Sequence, residues 1–232
     1  MPRSKNSWSN PASTVASWRC IGRWSDWGVV EKKSLRAAEQ DRPEVKVQRN
    51  IWREKTAGLD VHRLVFLDES GAKTNMTRLY GRSFDGQRVS DATPHGHWCT
   101  TTMLSAMRVD GSTAPMVIEG PPDAEVFEAY VGEVLIHSLR PGDIVVMDNL
   151  APHKQSGVIA AIEAAGAEVW FLPPYSPDFN PIEKMWSKIK AFLRKAKART
   201  WEALLAAIKA ALQEVSGADA RNWFQSCGYI QA

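Results

Sequence analysis

The sequence has few cysteines and no long apolar stretch, and each shortage removes a class of protein. Cys20, Cys99 and Cys227 are three thiols in 232 residues, odd in number and widely spaced, which argues against a disulfide framework and against a structural zinc site. No apolar run approaches the roughly 20 residues that a membrane helix needs. The first ten residues are rich in Ser and Asn, without the apolar core of a targeting signal. A cytoplasmic protein with reduced thiols is the expectation. What is present suffices for folding: 44% hydrophobic residues, 24% charged residues and ten tryptophans can bury one substantial core, with an appendage but not a second large domain.

Charge is distributed unevenly along the chain. Residues 1–50 carry 10 Lys/Arg against 5 Asp/Glu, and residues 51–183 carry 10 against 18. Residues 184–199 then contain no acid and seven bases: Lys184, Lys188, Lys190, Arg194, Lys195, Lys197 and Arg199. A basic run is commonly a solvated helix face. Next to an acidic body it also fits a polyanion, because cations offset the repulsion between phosphates and acidic groups.

Residues 1–30 hold Trp8, Trp18, Trp24 and Trp27 without helical or strand period and read as a poorly structured leader. Residues 31–60 read as a basic helical arm, helical up to Arg42-Pro43. Residues 61–232 read as the main domain. Its first strand is Leu64-Val65-Phe66-Leu67, wholly apolar and ending at Asp68, as in a strand buried on both faces. Residues 78–84, a turn at Asp85-Gly86 and residues 98–109 read as two further strands, antiparallel to the first. A helix after Pro121-Pro122-Asp123, a second apolar strand Ile144-Val145-Val146-Met147 ending at Asp148, a helix over 158–165 and a strand over 169–172 follow. That alternation predicts parallel strands with crossover helices. Two helices complete the chain. One follows Asn180-Pro181 with Ile182, Met185, Trp186, Ile189 and Leu193 on one stripe, and the other runs over 201–215 from an N-cap at Thr200.

Asp68 and Asp148 at the ends of buried strands, and Glu183 in the first turn of the next helix, are three carboxylates that such a fold can bring together. Adjacent ionised carboxylates in a water-poor site imply a bound cation. Oxygen-only ligands favour Mg²⁺ or Mn²⁺, and a pair of such ions suits in-line displacement at a phosphodiester. Glu183 lies about 100° around its helix from Ile182, on the flank that also carries Lys190 and Arg194. The His95-Gly96-His97 run with Cys99 reads as packing and strand-edge positions, and Trp186 as core. Tyr175, in a proline loop, is a candidate for stacking on unpaired bases.

Three segments together resemble the catalytic blocks of mariner-like DDE transposases, with the bacterial insertion-sequence branch most similar. They are Val65-Phe66-Leu67-Asp68-Glu69-Ser70-Gly71, Val146-Met147-Asp148-Asn149-Leu150-Ala151-Pro152-His153-Lys154, and Leu172-Pro173-Pro174-Tyr175-Ser176-Pro177-Asp178-Phe179-Asn180-Pro181-Ile182-Glu183, with 34 residues between Asp148 and Glu183. The likeness extends over about residues 31–232, through His95-Gly96-His97-Trp98 to Trp223-Phe224 and Cys227-Gly228-Tyr229. It implies an α/β fold of ribonuclease-H-like type, a mixed sheet of three antiparallel strands plus parallel strands flanked by helices. It further implies Asp68, Asp148 and Glu183 as ligands of Mg²⁺ or Mn²⁺, two ions in all, and cut-and-paste movement of an insertion sequence into TA dinucleotides.

The implied partners are double-stranded DNA, at element ends and target, and a second copy in a homodimer on DNA, in a bacterial, nucleoid-associated setting. DNA contacts fall to Lys154, Lys184, Lys188, Lys190, Arg194 and Lys195, with Asn149, His153, Tyr175 and Asn180 in support. Asn149 and His153 fit phosphate contact and capping of the next helix equally well. Relatives carry an N-terminal helix-turn-helix region, and residues 1–30 show no such periodicity. A truncated or second-frame catalytic domain is therefore the expectation. Alternatives are a DNA-binding remnant without activity, disfavoured because all three carboxylates are present, and another metal-dependent phosphoesterase. A phosphatase with a nucleophilic aspartate is disfavoured because Asp68-Glu69-Ser70 lacks the second Asp.

Overall fold

Strand β1 (Leu64–Lys73) is buried over its first half on both faces, and the rest of the fold is arranged around it. In the computed structural model, residues 36–83 and 87–231 are described. The tryptophan-bearing leader, residues 31–35 of the arm and the Asp85-Gly86 turn lie outside them. Strand β1 pairs antiparallel with β2 (Thr100–Met107), which pairs antiparallel with β3 (Met116–Glu119). On its other side it pairs parallel with β4 (Ile144–Met147), which pairs parallel with β5 (Glu168–Phe171). The order β3-β2-β1-β4-β5 is the mixed sheet expected from the sequence.

Side chains of β1 alternate between two cores because successive residues of a strand face opposite ways. Leu64 and Phe66 join the core formed with α1 (Pro43–Thr56), α4 (Ile182–Ala196), α5 (Trp201–Gln213) and α6 (Gly217–Ser226). Val65 and Leu67 join the core formed with α2 (Ala124–Tyr130) and α3 (Ser156–Ala164). Helices therefore cover both faces, which is why the run 64–67 has no polar alternation. The stripe read on α4 is buried as expected: Ile182, Met185, Trp186, Ile189 and Leu193 all face the first core.

Three readings of local structure are corrected. Residues 78–83 form no strand, and the third antiparallel strand is β3 instead. Leu79 is 80% and Tyr80 90% exposed, so the apolar residues of that segment have no core to alternate into. Helix α1 begins at Pro43 and does not end there, since a proline at the first helical position loses no hydrogen bond. Helix α5 stops at Gln213, and a separate α6 starts behind a capping box in which Ser216 and Asp219 satisfy each other's backbone N–H groups. The described residues from 37 onward form one compact unit that includes α1, whose Val45, Arg49 and Trp52 are buried.

The turn into β4 is held by a buried ion pair. Arg108 donates from one nitrogen to Asp143 Oδ1 at 3.0 Å, and from the other to Asp143 Oδ2 and to the Ser138 carbonyl at 2.8 Å. Asp143 also accepts from the Arg140 N–H at 2.6 Å. Removing one partner leaves the other charge buried without compensation, at a cost of about 3–5 kcal/mol. Asp143→Ala should lower the unfolding free energy by about that amount in urea titrations. A loss below about 1 kcal/mol, the level of an exposed pair, would mean that the guanidinium finds water or another acceptor.

Candidate active site

Strands β1 and β4 are parallel neighbours with Phe66 opposite Val146. Two residues beyond that pair stand Asp68, still within β1, and Asp148, the first residue past the end of β4. Strand spacing of about 4.8 Å puts adjacent strand ends side by side. Helix α4 packs against β1, and its first turn presents Glu183. All three carboxylates line one cleft of about 380 Å³, walled by Asn149, Leu172, Pro173, Pro174, Tyr175 and Asn180 among others. The sequence-predicted triad is thus brought to a single opening.

The two aspartates are in different electrostatic states. Asp68 is only 8% exposed; its Oδ1 accepts the Glu69 N–H at 2.9 Å and its Oδ2 accepts from Asn180 Nδ2 at 3.2 Å. Burial first, then the negative charges of Glu183, Glu69 and Asp148, push its carboxyl well above the usual range, against the pull of the Glu69 N–H. Burial also acts to raise Asp148, but His153 and the Leu150 N–H outweigh it and hold that carboxyl below its ordinary value. Carboxylates pushed apart in this way are suited to different roles in one site.

His153 sits behind the carboxylates and not on the cleft wall, 1% exposed and stacked on Phe127 with ring centroids 4.3 Å apart. Its Nε2 is 3.2 Å from Glu69 Oε2. Its Nδ1 is 2.6 Å from Asp148 Oδ1, a close ion-pair contact out of line with the ring N–H. Burial alone would lower its pKa, but the two carboxylates raise it to about 9. The imidazolium is thus neither a phosphate contact nor a helix cap. It clamps Asp148 to Glu69, a residue that sequence reasoning did not single out; the only signal was its place after Asp68, one step along the strand and so on the opposite face.

The remaining candidates are dispersed. Asn149 lines the cleft and donates to the Leu172 carbonyl. Tyr175 is 47% exposed at the cleft mouth. The Lys154 ammonium lies over the Phe171 ring at 5.6 Å. Lys184 donates to Ser226 Oγ, and Lys188 to the Glu214 carbonyl at 2.6 Å and Asp219 at 2.7 Å, so both tether α6. Lys190 and Arg194 are half-buried, and Lys195 is exposed in a surface groove with Arg78 and Arg82. His95, His97 and Cys99 are exposed in the segment before β2, not on a strand. Trp186 is core, as read.

The donors facing the cleft are oxygen atoms, as a hard divalent cation requires. Among the described residues, no three His, Cys, Asp or Glu side chains close on one point as a finished metal cage would. The chemistry of the set nevertheless fits a cation: Asp68 is buried against three other carboxylates, and its hydrogen-bond donors among the described residues, an amide and a backbone N–H, are both neutral.

The opposite shifts give a test on the metal-free protein. A carboxyl that titrates higher folded than unfolded loses stability as pH rises between those two values; one that titrates lower gains it there. In EDTA at pH 8, Asp68→Asn should therefore stabilise the fold and Asp148→Asn destabilise it, each beyond the about 0.5 kcal/mol of a neutral surface change. Urea titrations giving both variants the same sign would refute the assignment of opposite electrostatic states.

Similarity to known proteins agrees with this geometry. The family model described as DDE superfamily endonuclease matches residues 63–205, a span that contains all three carboxylates. No curated protein sequence matches. Among solved structures, the chain is similar to the Mos1 transposase paired-end complex with left transposon end, at 16% identity and TM-score 0.67, over 87% of this chain and 64% of that one. It is also similar to the mariner Mos1 paired end complex with Mg (16%, 0.66, covering 89% and 67%). A third likeness is to the catalytic domain of Mos1 mariner transposase (14%, 0.59, covering 84% and 91%). At such identities the likeness establishes the ribonuclease-H-like fold of the transposase. The chain spans 64% of the first of these relatives. With more than half of its length matched by the family model, it belongs to the DDE superfamily of endonucleases.

Proposed function

We propose that this chain is a transposase of an insertion sequence, cleaving DNA strands at the element's ends and joining them to target DNA with Mg²⁺ or Mn²⁺. The observation that carries the proposal is the convergence of Asp68, Asp148 and Glu183 on one cleft from two adjacent parallel strands and a helix. In support, related structures are complexes of Mos1 with a transposon end and with Mg or Mn. The catalytic unit is assigned to residues 61–232, with 31–60 as the segment leading into it. The setting is the bacterial cytoplasm; among the described residues no helix is long and apolar enough to cross a membrane.

Asp68, Asp148 and Glu183 would hold the metal, two ions in all. Bound there, the ions supply an activated attacking oxygen and a stabilised leaving oxygen at the scissile phosphate. The protein's share is placement. His153 keeps Asp148 ionised and aimed, Asn180 orients Asp68, and Pro173, Pro174 and Pro177 give the cleft a stiff wall. Lys154, Lys190, Arg194 and Lys195 are the bases assigned to the DNA backbone, contacts that position the duplex and carry no sequence information. Lys184 and Lys188 are assigned instead to holding α6, given their partners. Two ends must be held together for strand transfer, so the active species is assigned as a homodimer on DNA.

The test is nicking of supercoiled plasmid in Mg²⁺ or Mn²⁺. Asp148→Ala should abolish it while DNA binding measured in EDTA stays within about twofold, because a metal ligand serves the transition state more than ground-state affinity. Losses from Asp68→Ala and Glu183→Ala should not add to it, since each disables the same assembly. Cleavage by Asp148→Ala near the wild-type rate would remove that residue from the site.

A further inference from the structure

The loop between β5 and α4, residues 172–181, forms a wall of the cleft and leads directly to Glu183. One of its backbone positions is strained: Tyr175 has φ +55°, in the left-handed region that non-glycine residues rarely adopt. Strain of this kind persists only where surroundings over-determine it. The surroundings come from a part of the chain far away in sequence.

Arg49 of α1 is 7% exposed. One of its nitrogens donates to Ser176 Oγ at 2.7 Å and to Asp178 Oδ1 at 3.0 Å, and the other donates to Asp178 Oδ2 at 2.6 Å. Its guanidinium also lies 4.2 Å from the centroid of the Phe179 ring. Just before α1, buried Gln40 donates to the Tyr175 carbonyl at 2.7 Å and to Asp178 at 3.3 Å. Trp52 donates to the Tyr229 hydroxyl at 3.0 Å, which donates in turn to the Phe179 carbonyl at 2.7 Å. Residues 175, 176, 178 and 179 are thus each tied to α1 or to the turn preceding it. The next residue, Asn180, holds Asp68, and its carbonyl accepts the Glu183 N–H at 3.3 Å.

We propose that Arg49 is a positioning residue of the metal site, and that α1 is built into that site through it. By fixing Asp178 and Ser176 it sets where Asn180 meets Asp68 and how the first turn of α4 presents Glu183. A planar, bidentate guanidinium stacked on an aromatic ring fixes both distance and angle, which a lysine in its place would not. Arg49 is buried and is not among the residues lining the cleft. It acts through the loop, and it rests on the reading of the cleft as a metal-dependent nuclease.

The experiment uses the full chain with Arg49→Met, which keeps an apolar side chain against Phe179 but removes the donors. Calorimetric Mn²⁺ titration should show weaker binding by about tenfold, at the lower end of the loss documented for groups that orient metal ligands. At saturating Mn²⁺ the nicking kcat should fall while the KM for DNA stays unchanged. Amides of residues 175–183 should exchange hydrogen faster, with those of β1 and β4 unaffected. A brace for stability alone would lower the melting temperature and leave Mn²⁺ affinity and the kcat-to-KM pattern alone; that result overturns the proposal. If Arg49→Met does not fold, Asp178→Asn, at a half-exposed carboxylate, decides by the same readouts, with unchanged Mn²⁺ binding counting against Arg49. Wild-type protein that takes up no Mn²⁺ would instead sink the nuclease reading, and the exchange rates of 175–183 would then decide alone whether Arg49 sets the loop.

Discussion

The parallel pairing of β1 with β4 is the constraint on which the site depends. Once Phe66 is opposite Val146, Asp68 and Asp148, each two residues beyond that pair, come to the same edge of the sheet. A slip of one residue would send one of them to the other core. The register is in turn specified by burial: Leu64, Phe66, Ile144 and Val146 belong to one core, and Val65, Leu67, Val145 and Met147 to the other. Hydrophobic packing on two faces therefore does chemical work, because it brings together carboxylates whose mutual repulsion opposes the arrangement.

That repulsion is managed asymmetrically. Asp148 has a protonated histidine as counter-ion, and His153 can remain charged while buried because Glu69 contacts its far nitrogen. Among the described residues, Asp68 has only neutral hydrogen-bond donors, and its pKa is raised. A site of this kind costs stability in the absence of a cation and gains it on binding one, the trade between stability and activity common at functional sites. The same view explains the investment around residues 175–180. A metal ligand held by a neutral amide is well placed only if the amide is, and the loop bearing Asn180 is tied down by groups on α1.

Much of this was legible in the sequence where one physical signal dominated. The apolar runs 64–67 and 144–147 read as strands buried on both faces, each running into an aspartate, and the stripe on α4 indicates which flank carries Glu183. Short or partner-dependent features were less legible. Strand β3 is four residues long, and residues 78–83 have strand-like composition but nothing to pair with. Pro43 and the Ser216–Asp219 box are both helix starts, but a proline opens and ends helices alike, and a reciprocal cap so close behind α5 is masked by the apolar period of that helix. Arg49 and Asp178 are separated by 129 residues, and His153 and Glu69 by 84. Such pairs leave no mark in local periodicity; only the tertiary structure joins them.

The central claim is that Asp68, Asp148 and Glu183 form one divalent-metal site. Anomalous diffraction from crystals of the full chain grown with Mn²⁺ tests it most directly. The account predicts Mn²⁺ peaks in the cleft within about 2.0–2.3 Å of carboxylate oxygens of Asp68 and Asp148, oxygen-ligand distances for a small hard cation, with Glu183 turned toward one of the ions. Mn²⁺ located elsewhere, with the cleft carboxylates bound only to solvent, would contradict it.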